Sequence, residues 1–201
     1  MKNSLFAFAI IFLLSACGAP GTTAPTSAPP PDATPPPSEL MATPLCISSQ
    51  PTEADIDRAL TYTEDLFNVT EWERSYTVAD GRVSVTWFNS VDSAVAYLEA
   101  LIFPCTYEEI DLNDFFNTEN WQVIFANYES YKPVAECKTN DGLRLYQFTA
   151  VEQGFEYNIN YWAENDTDTR VIGMMIVFPI ESKALMDEYS KSLFPDLTSC
   201  K

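Results

Sequence analysis

The chain of 201 residues contains no histidine. Histidine is the side chain whose ordinary pKa lies nearest neutrality, so its absence removes Ser-His-Asp and Cys-His nucleophile systems, histidine-bound zinc and the usual general base. Positive charge is also scarce: 11 Lys and Arg stand against 29 Asp and Glu, a formal net charge of −18. Nucleic acid and anionic lipid surfaces are both held through Lys and Arg contacts with phosphate, so so acidic a chain repels them. Nucleic acid is excluded as a partner on that ground. Glycine occurs six times, and no Gly-rich phosphate loop is among those positions. Leu5 to Leu14 is an unbroken apolar run of ten residues, about half of the ~20 that a helix needs to cross a bilayer core.

What that run does belong to is a secretory signal pattern: Lys2 supplies the charge, Leu5 to Leu14 the apolar stretch, and Ser15-Ala16 the small residues before Cys17. Leu14-Ser15-Ala16-Cys17 resembles the lipobox of bacterial lipoproteins. The resemblance covers residues 1–17 alone. It implies removal of residues 1–16, a diacylglyceryl thioether on Cys17, and an exported chain held to the cell membrane or outer membrane. Two or more acyl chains anchor firmly where one is marginal. Residues 18–44 hold nine prolines, with Ala, Thr, Ser and Gly making up most of the rest. This composition cannot bury apolar surface and predicts an extended spacer reaching up to roughly 80 Å. The expected organisation is a signal peptide over 1–16, a lipid-anchored linker over 17–44 and one globular domain over 45–201.

Within that domain Cys46, Cys105, Cys137 and Cys200 remain. An even number in an exported domain reads as two disulfides, and four cysteines allow three pairings. The pairing favoured is Cys105 with Cys137 and Cys46 with Cys200, which would clasp the two ends. No two of them are closely spaced and no histidine joins them, so no metal site is expected.

The pattern predicts an α+β fold, an antiparallel sheet of five to seven strands with two or three helices packed on one face. Thr52 caps a helix over 53–67, and strands 75–79 and 82–88 flank the hairpin dipeptide Asp80-Gly81, turning Val83, Val85 and Trp87 to the core. Val91, Ala94, Val95, Leu98, Leu101 and Ile102 fit a helix over 91–103. Residues 106–120, acidic and Asn-rich with Phe115-Phe116 inside, read as a long loop or a short helical turn. An antiparallel meander follows over 121–130, 133–138, 143–151, 155–163 and 170–178, with turns at Asn140-Asp141-Gly142, Gln153-Gly154 and 165–168. The last of these strands is apolar on both faces and suits the sheet centre. A further helix spans 181–193. The strands ending at Phe88 and Phe178 each lead into a helix stopped by proline, an echo that reads as chance more readily than as duplication.

The inventory of chemistry is thin. Glu71, Glu73, Glu108, Glu109, Asp111 and Asp114 are acids that a glycosidase would need in a facing pair, but nothing in their spacing separates them from solvated surface charge. Asp111 to Asp114 and Asn165 to Asp168 are acidic turns without the EF-hand pattern, so no metal or cofactor is expected. Alternation over 157–162 places Tyr157, Ile159 and Tyr161 on one face and Asn158, Asn160 and Trp162 on the other. With helices over the first face, the Asn-Asn-Trp face would be open, and Tyr157, Asn158, Asn160 and Trp162 are the candidate binding residues. The expected function is a non-enzymatic, membrane-tethered binding or assembly module of the cell envelope, with an envelope protein, peptide or glycan as partner. Two other classes remain: a small-molecule or lipid carrier with a pocket between sheet and helices, and a hydrolase working with paired carboxylates.

Overall fold

A computed structural model describes residues 50–108, 112–113 and 116–201. The signal segment, the linker, Cys17 and Cys46 lie outside the described residues. Seven strands form one antiparallel sheet: β1 (Glu73–Ala79), β2 (Arg82–Asn89), β3 (Ala94–Ile102), β4 (Ser130–Lys138), β5 (Arg144–Glu152), β6 (Phe155–Thr167) and β7 (Arg170–Pro179). Their spatial order is β1-β2-β3-β7-β6-β5-β4. Strand β7 is central and buried almost throughout, as its continuous apolar sequence dictates. Among the described residues three α-helices accompany the sheet: α1 (Glu53–Thr61), α2 (Thr118–Ile124) and α3 (Lys183–Leu193).

Helix α1 begins where the sequence places it. Thr52 Oγ1 accepts from Asp55 N, and Asp55 Oδ2 accepts from Thr52 N at 2.8 Å, a reciprocal capping box. The helix stops at Thr61, short of the expected 67. Phe67 instead packs its ring against Trp72 and Trp87. Arg170 fastens α1 to the sheet, reaching Asp55 and Asp166 at 2.5 Å each, and Arg58 joins Asp166 at 2.8 Å. Burial opposes ionisation of Asp55 and of Asp166. The donors outweigh it: Thr52 and Arg170 around Asp55, Arg58 and Arg170 around Asp166. Both carboxyls stay below their ordinary value.

Four expectations are corrected. Residues 91–103 are not a helix: β3 runs through Ala94–Ile102 between β2 and β7. Nearly every position of Ala94–Ile102 is apolar, so a period of 2 fits as well as 3.6, and burial on both sides decides for strand. Val91, meant for the apolar stripe, sits 82% exposed in the β2–β3 turn, which Asn89 Oδ1 organises by accepting from Val91 N and Asp92 N. The strand–helix echo disappears with that helix. Residues 121–130 are not a strand: α2 occupies Thr118–Ile124, capped by Asn117 Oδ1.

The third correction concerns the helices, which are divided between the two faces. Ala59 of α1 and Met186 of α3 join the layer with Val83, Val85, Trp87, Trp162 and Phe178. Trp121 of α2 joins the opposite layer, with Phe116, Phe148 and Tyr161. The fourth concerns the disulfides. Cys137 is bonded to Cys200, which replaces the expected pairing. Cys105 is also disulfide-bonded, to a partner outside the described residues. Cys137 lies opposite Leu145 on the sheet face crossed by the tail after α3, which brings Cys200 to it.

Candidate functional site

The chemistry of this chain gathers at the β4 end of the sheet. The Gln153-Gly154 turn, with φ of 52° and 80°, sets a two-residue hairpin between β5 and β6. That turn fixes the register, pairing Gln147 with Asn160 and Thr149 with Asn158. These four side chains make the floor of a cleft of about 300 Å³. Lys183, Met186 and Asp187 of α3 form one wall, and Ser199, Cys200 and Val134 of β4 lie around the rest.

The floor is held by a continuous run of hydrogen bonds. Cys200 N donates to Gln147 Oε1 at 3.0 Å, and Gln147 Nε2 donates to Asn160 Oδ1 at 2.9 Å. Asn160 Nδ2 then donates to Ser190 Oγ at 3.2 Å, and Ser190 Oγ donates to the Met186 carbonyl at 2.8 Å. Strand, strand, helix and tail are thereby locked together. Asn158 stands outside the run: its Nδ2 is buried and has no hydrogen-bond partner among the described residues. Thr63 Oγ1 and Trp87 Nε1, elsewhere among the described residues, are buried and unpartnered in the same way. At the cleft mouth Lys183 Nζ meets both Asp187 oxygens at 2.7 Å, leaving that wall neutral.

Across β4, on the other sheet face, lies a second hollow of about 490 Å³ lined by Phe116, Trp121, Tyr131, Pro133, Tyr146 and Phe148. Trp121 and Tyr146 rings lie 5.0 Å apart, as do Trp121 and Phe148. A third, of about 450 Å³, runs beside Ser130, Lys132, Thr149 and Glu156. Strand β4 is the sheet's outer strand, and its register slips between Pro133 and Ala135. The bulge pushes out Val134, which is 62% exposed and borders both the amide cleft and the aromatic hollow.

Of the four residues singled out from sequence, Asn158 and Asn160 line this cleft together. Trp162 does not reach solvent, because the face expected to be open is covered by α3 and the tail: its ring stacks on Phe194 and its Nε1 donates to the Leu197 carbonyl at 2.8 Å. Tyr157 belongs to the opposite face, in ring contact with Tyr128. Gln147 and Thr149 were missed, although the two-residue turn at 153–154 foretells that they oppose Asn160 and Asn158.

Glu71, Glu73 and Glu108 are exposed, and Glu109, Asp111 and Asp114 lie outside the described residues. The turn expected at 165–168 lies instead at Asp168-Thr169, because β6 continues to Thr167, and Asp166 on that strand is taken by two arginines. Among the described residues no cluster of three metal-ligating side chains occurs. Among the described residues the most deeply buried acid is Glu99, in the middle of the sheet. Burial pushes its carboxyl above the usual range, against the pull of Tyr161, Arg82 and Tyr97. Tyr161 Oη donates to Glu99 Oε1 at 2.7 Å, and Arg82 stands 3.6 Å from Oε2.

The fold and this rim define an α+β domain with three hollows along one outer strand, and a further one of about 570 Å³ away from it, among Tyr62, Leu66, Glu164, Leu193 and Phe194. No family model matches the chain, and no curated protein matches it. Among solved structures it is similar to the crystal structure of human STARD10, at 11% identity and a TM-score of 0.27, over 73% of this chain and 80% of that one. A likeness of that degree says nothing about ligand or activity.

Proposed function

We propose that this chain is a non-enzymatic binding module displayed beyond the cell membrane by a lipid on Cys17, and that it captures an envelope ligand along the β4 rim. The observation that carries the binding half is the concentration of three hollows around one outer strand, one of them lined by aromatic rings. The Leu14-Ser15-Ala16-Cys17 motif and the proline-rich spacer support the tether. A carrier would enclose its cargo between sheet and helices. Here Trp87, Trp162, Met174 and Phe178 pack in the layer under α1 and α3, and the hollow of about 570 Å³ at the C-terminal ends of those helices is open to solvent rather than enclosed.

Two measurements test the proposal. In cells, the N-terminal peptide of the mature wild type carries a diacylglyceryl mass on Cys17, and Cys17→Ser removes it; an unmodified wild-type peptide overturns the tether. In vitro, the purified full chain co-sediments with isolated envelope material. Val134→Arg, placed on an exposed bulge where it leaves the core untouched, reduces retention at least tenfold. Equal retention of the two proteins overturns the rim.

A further inference from the structure

We propose that β1 is the contact strand of a homodimer: a second copy of this chain lays its own β1 antiparallel against it, about a two-fold axis at Thr77, and joins two seven-stranded sheets into one. This contact lies at the edge opposite the β4 rim and stands whether or not that rim binds a ligand.

The two edges of the sheet are built differently. Strand β4 carries Lys132, Pro133 and Lys138, and its register slips between Pro133 and Ala135. Charge, a missing N–H and a bulge are the devices that stop an edge from accepting another strand. Strand β1 lacks the last two and keeps its only charges, Glu73 and Arg74, at one end. It pairs with β2 in unbroken register from Glu73 to Ala79, and all seven of its residues are exposed. Its outer side is therefore a straight run of unpaired N–H and C=O groups, which a further strand can satisfy.

The side chains choose the partner. Arg74, Tyr76 and Val78 share the sheet face of Trp87, Val85 and Val83, and Asp80 follows at the turn. About Thr77 this series is complementary to itself: Tyr76 and Val78 flank it directly, and Arg74 and Asp80 lie equally far to either side. A second β1 centred there sets Tyr76 against Val78 and Arg74 against Asp80, each pair twice. Aromatic with β-branched and opposite charges are the cross-strand pairs that stabilise a sheet. On the other face Ser75 meets Ala79 and Thr77 meets itself, so no like charges oppose. Moving the centre to Tyr76 or Ser75 loses both ion pairs, because Arg74 then meets Val78 or Tyr76. The groups are free for this use. Tyr76 is 54% exposed and Val78 46%. Among the described residues Arg74 has no carboxylate partner and holds only Asn68 Oδ1, at 3.1 Å, while Asp80 accepts from the exposed Gln50. The net charge of −18 on each copy opposes association, yet physiological salt screens it beyond about 8 Å and leaves pairs in contact. One short strand a side is a small interface, so the dimer is a weak one.

The test uses the purified full chain at about 0.15 M salt. Thr77→Cys forms a disulfide-linked dimer on mild copper oxidation, because residue 77 faces its own copy across the axis at a spacing a disulfide can bridge. Ser75→Cys and Ala79→Cys, whose positions face each other and not themselves, give at least tenfold less. Adding Arg74→Asp to Thr77→Cys lowers the yield at least fivefold, and exchanging the charges, Arg74→Asp with Asp80→Arg, restores it. Sedimentation equilibrium of the wild type shows monomer passing into dimer between about 10 μM and 1 mM, a readout that needs no variant to fold. A wild type still monomeric at about 1 mM, as it would be if another segment or a different partner occupied β1, overturns the dimer. Equal cross-linking of the three cysteine variants, a yield indifferent to Arg74→Asp, or a charge exchange that fails to restore it overturns the register and the proposal with it.

Discussion

Removing the Cys137–Cys200 bond, in a Cys137→Ser/Cys200→Ser variant, is expected to lower the unfolding free energy by about 4 kcal/mol. The bond closes a loop across a sequence separation of 63 residues, and a loop of that size takes about 4 kcal/mol of conformational entropy from the denatured chain. For a domain of this size the melting temperature falls by roughly 10 °C. The urea m-value rises, because the unlinked denatured chain exposes more surface. The tail does not detach wholly, since Phe194 still stacks on Trp162 and Leu197 still accepts from its indole nitrogen. Equilibrium urea unfolding measures the loss. A change below about 1 kcal/mol would mean that these contacts hold the tail without the covalent link and that the 63-residue loop is not what stabilises the domain.

Gly173→Ala is expected to cost about 3 kcal/mol although glycine is not needed there for its backbone freedom. A methyl placed on Gly173 would stand 2.0 Å from Tyr161 Oη and 2.8 Å from its Cζ. Tyr161 has nowhere to retreat: Phe116 and Trp121 press edge-on against its ring, and its hydroxyl is bound to Glu99. Overpacking of this kind costs about 1–3 kcal/mol. Displacing the hydroxyl also leaves the buried Glu99 carboxyl without that hydrogen bond, a loss of about 1–3 kcal/mol. Tyr161→Phe removes the nearer clash, so the double variant should lose less than the sum of the two singles, by about 1 kcal/mol or more. Additive losses in chemical denaturation would refute the steric account.

What could be read from the chain follows the range of the signal. The hairpin at Asp80-Gly81, the meander from β4 to β7 and the Thr52 cap are announced by neighbours in sequence, and the structure holds all three, with β6 running on to Thr167 and the last turn moved to Asp168-Thr169. Strand β3 was hidden because its nine residues are apolar enough to suit either period. Helix α2 was hidden because it has only seven residues and owes its place to Trp121 meeting Tyr146, Phe148 and Tyr161 from distant strands. The alternation along β6 sorted its side chains correctly onto two faces. Which face would be covered depended on Phe103, Leu112, Phe116 and α2 packing over one side and α1, α3 and the tail over the other, and no local pattern records that. The same limit applies to Cys200, brought to Cys137 by the course of the tail.

The pairing of β3 with β7 has a consequence for how the domain comes together. Strands β1 to β3 form one run of consecutive hairpins and β4 to β7 another, and Val95 to Ile102 of β3 against Arg170 to Val177 of β7 is the seam that joins them. Each run closes through short connections, whereas the seam must wait for residues far apart in sequence to meet. Strand β7 is the last of the seven to be synthesised, yet it supplies Ile172, Met174, Ile176 and Phe178 to one apolar layer and Val171, Met175 and Val177 to the other. A nascent chain that has not yet released Arg170 therefore holds two unjoined β-meanders, each with a bare apolar side and an unpaired edge. During that interval the domain is most exposed to aggregation and proteolysis.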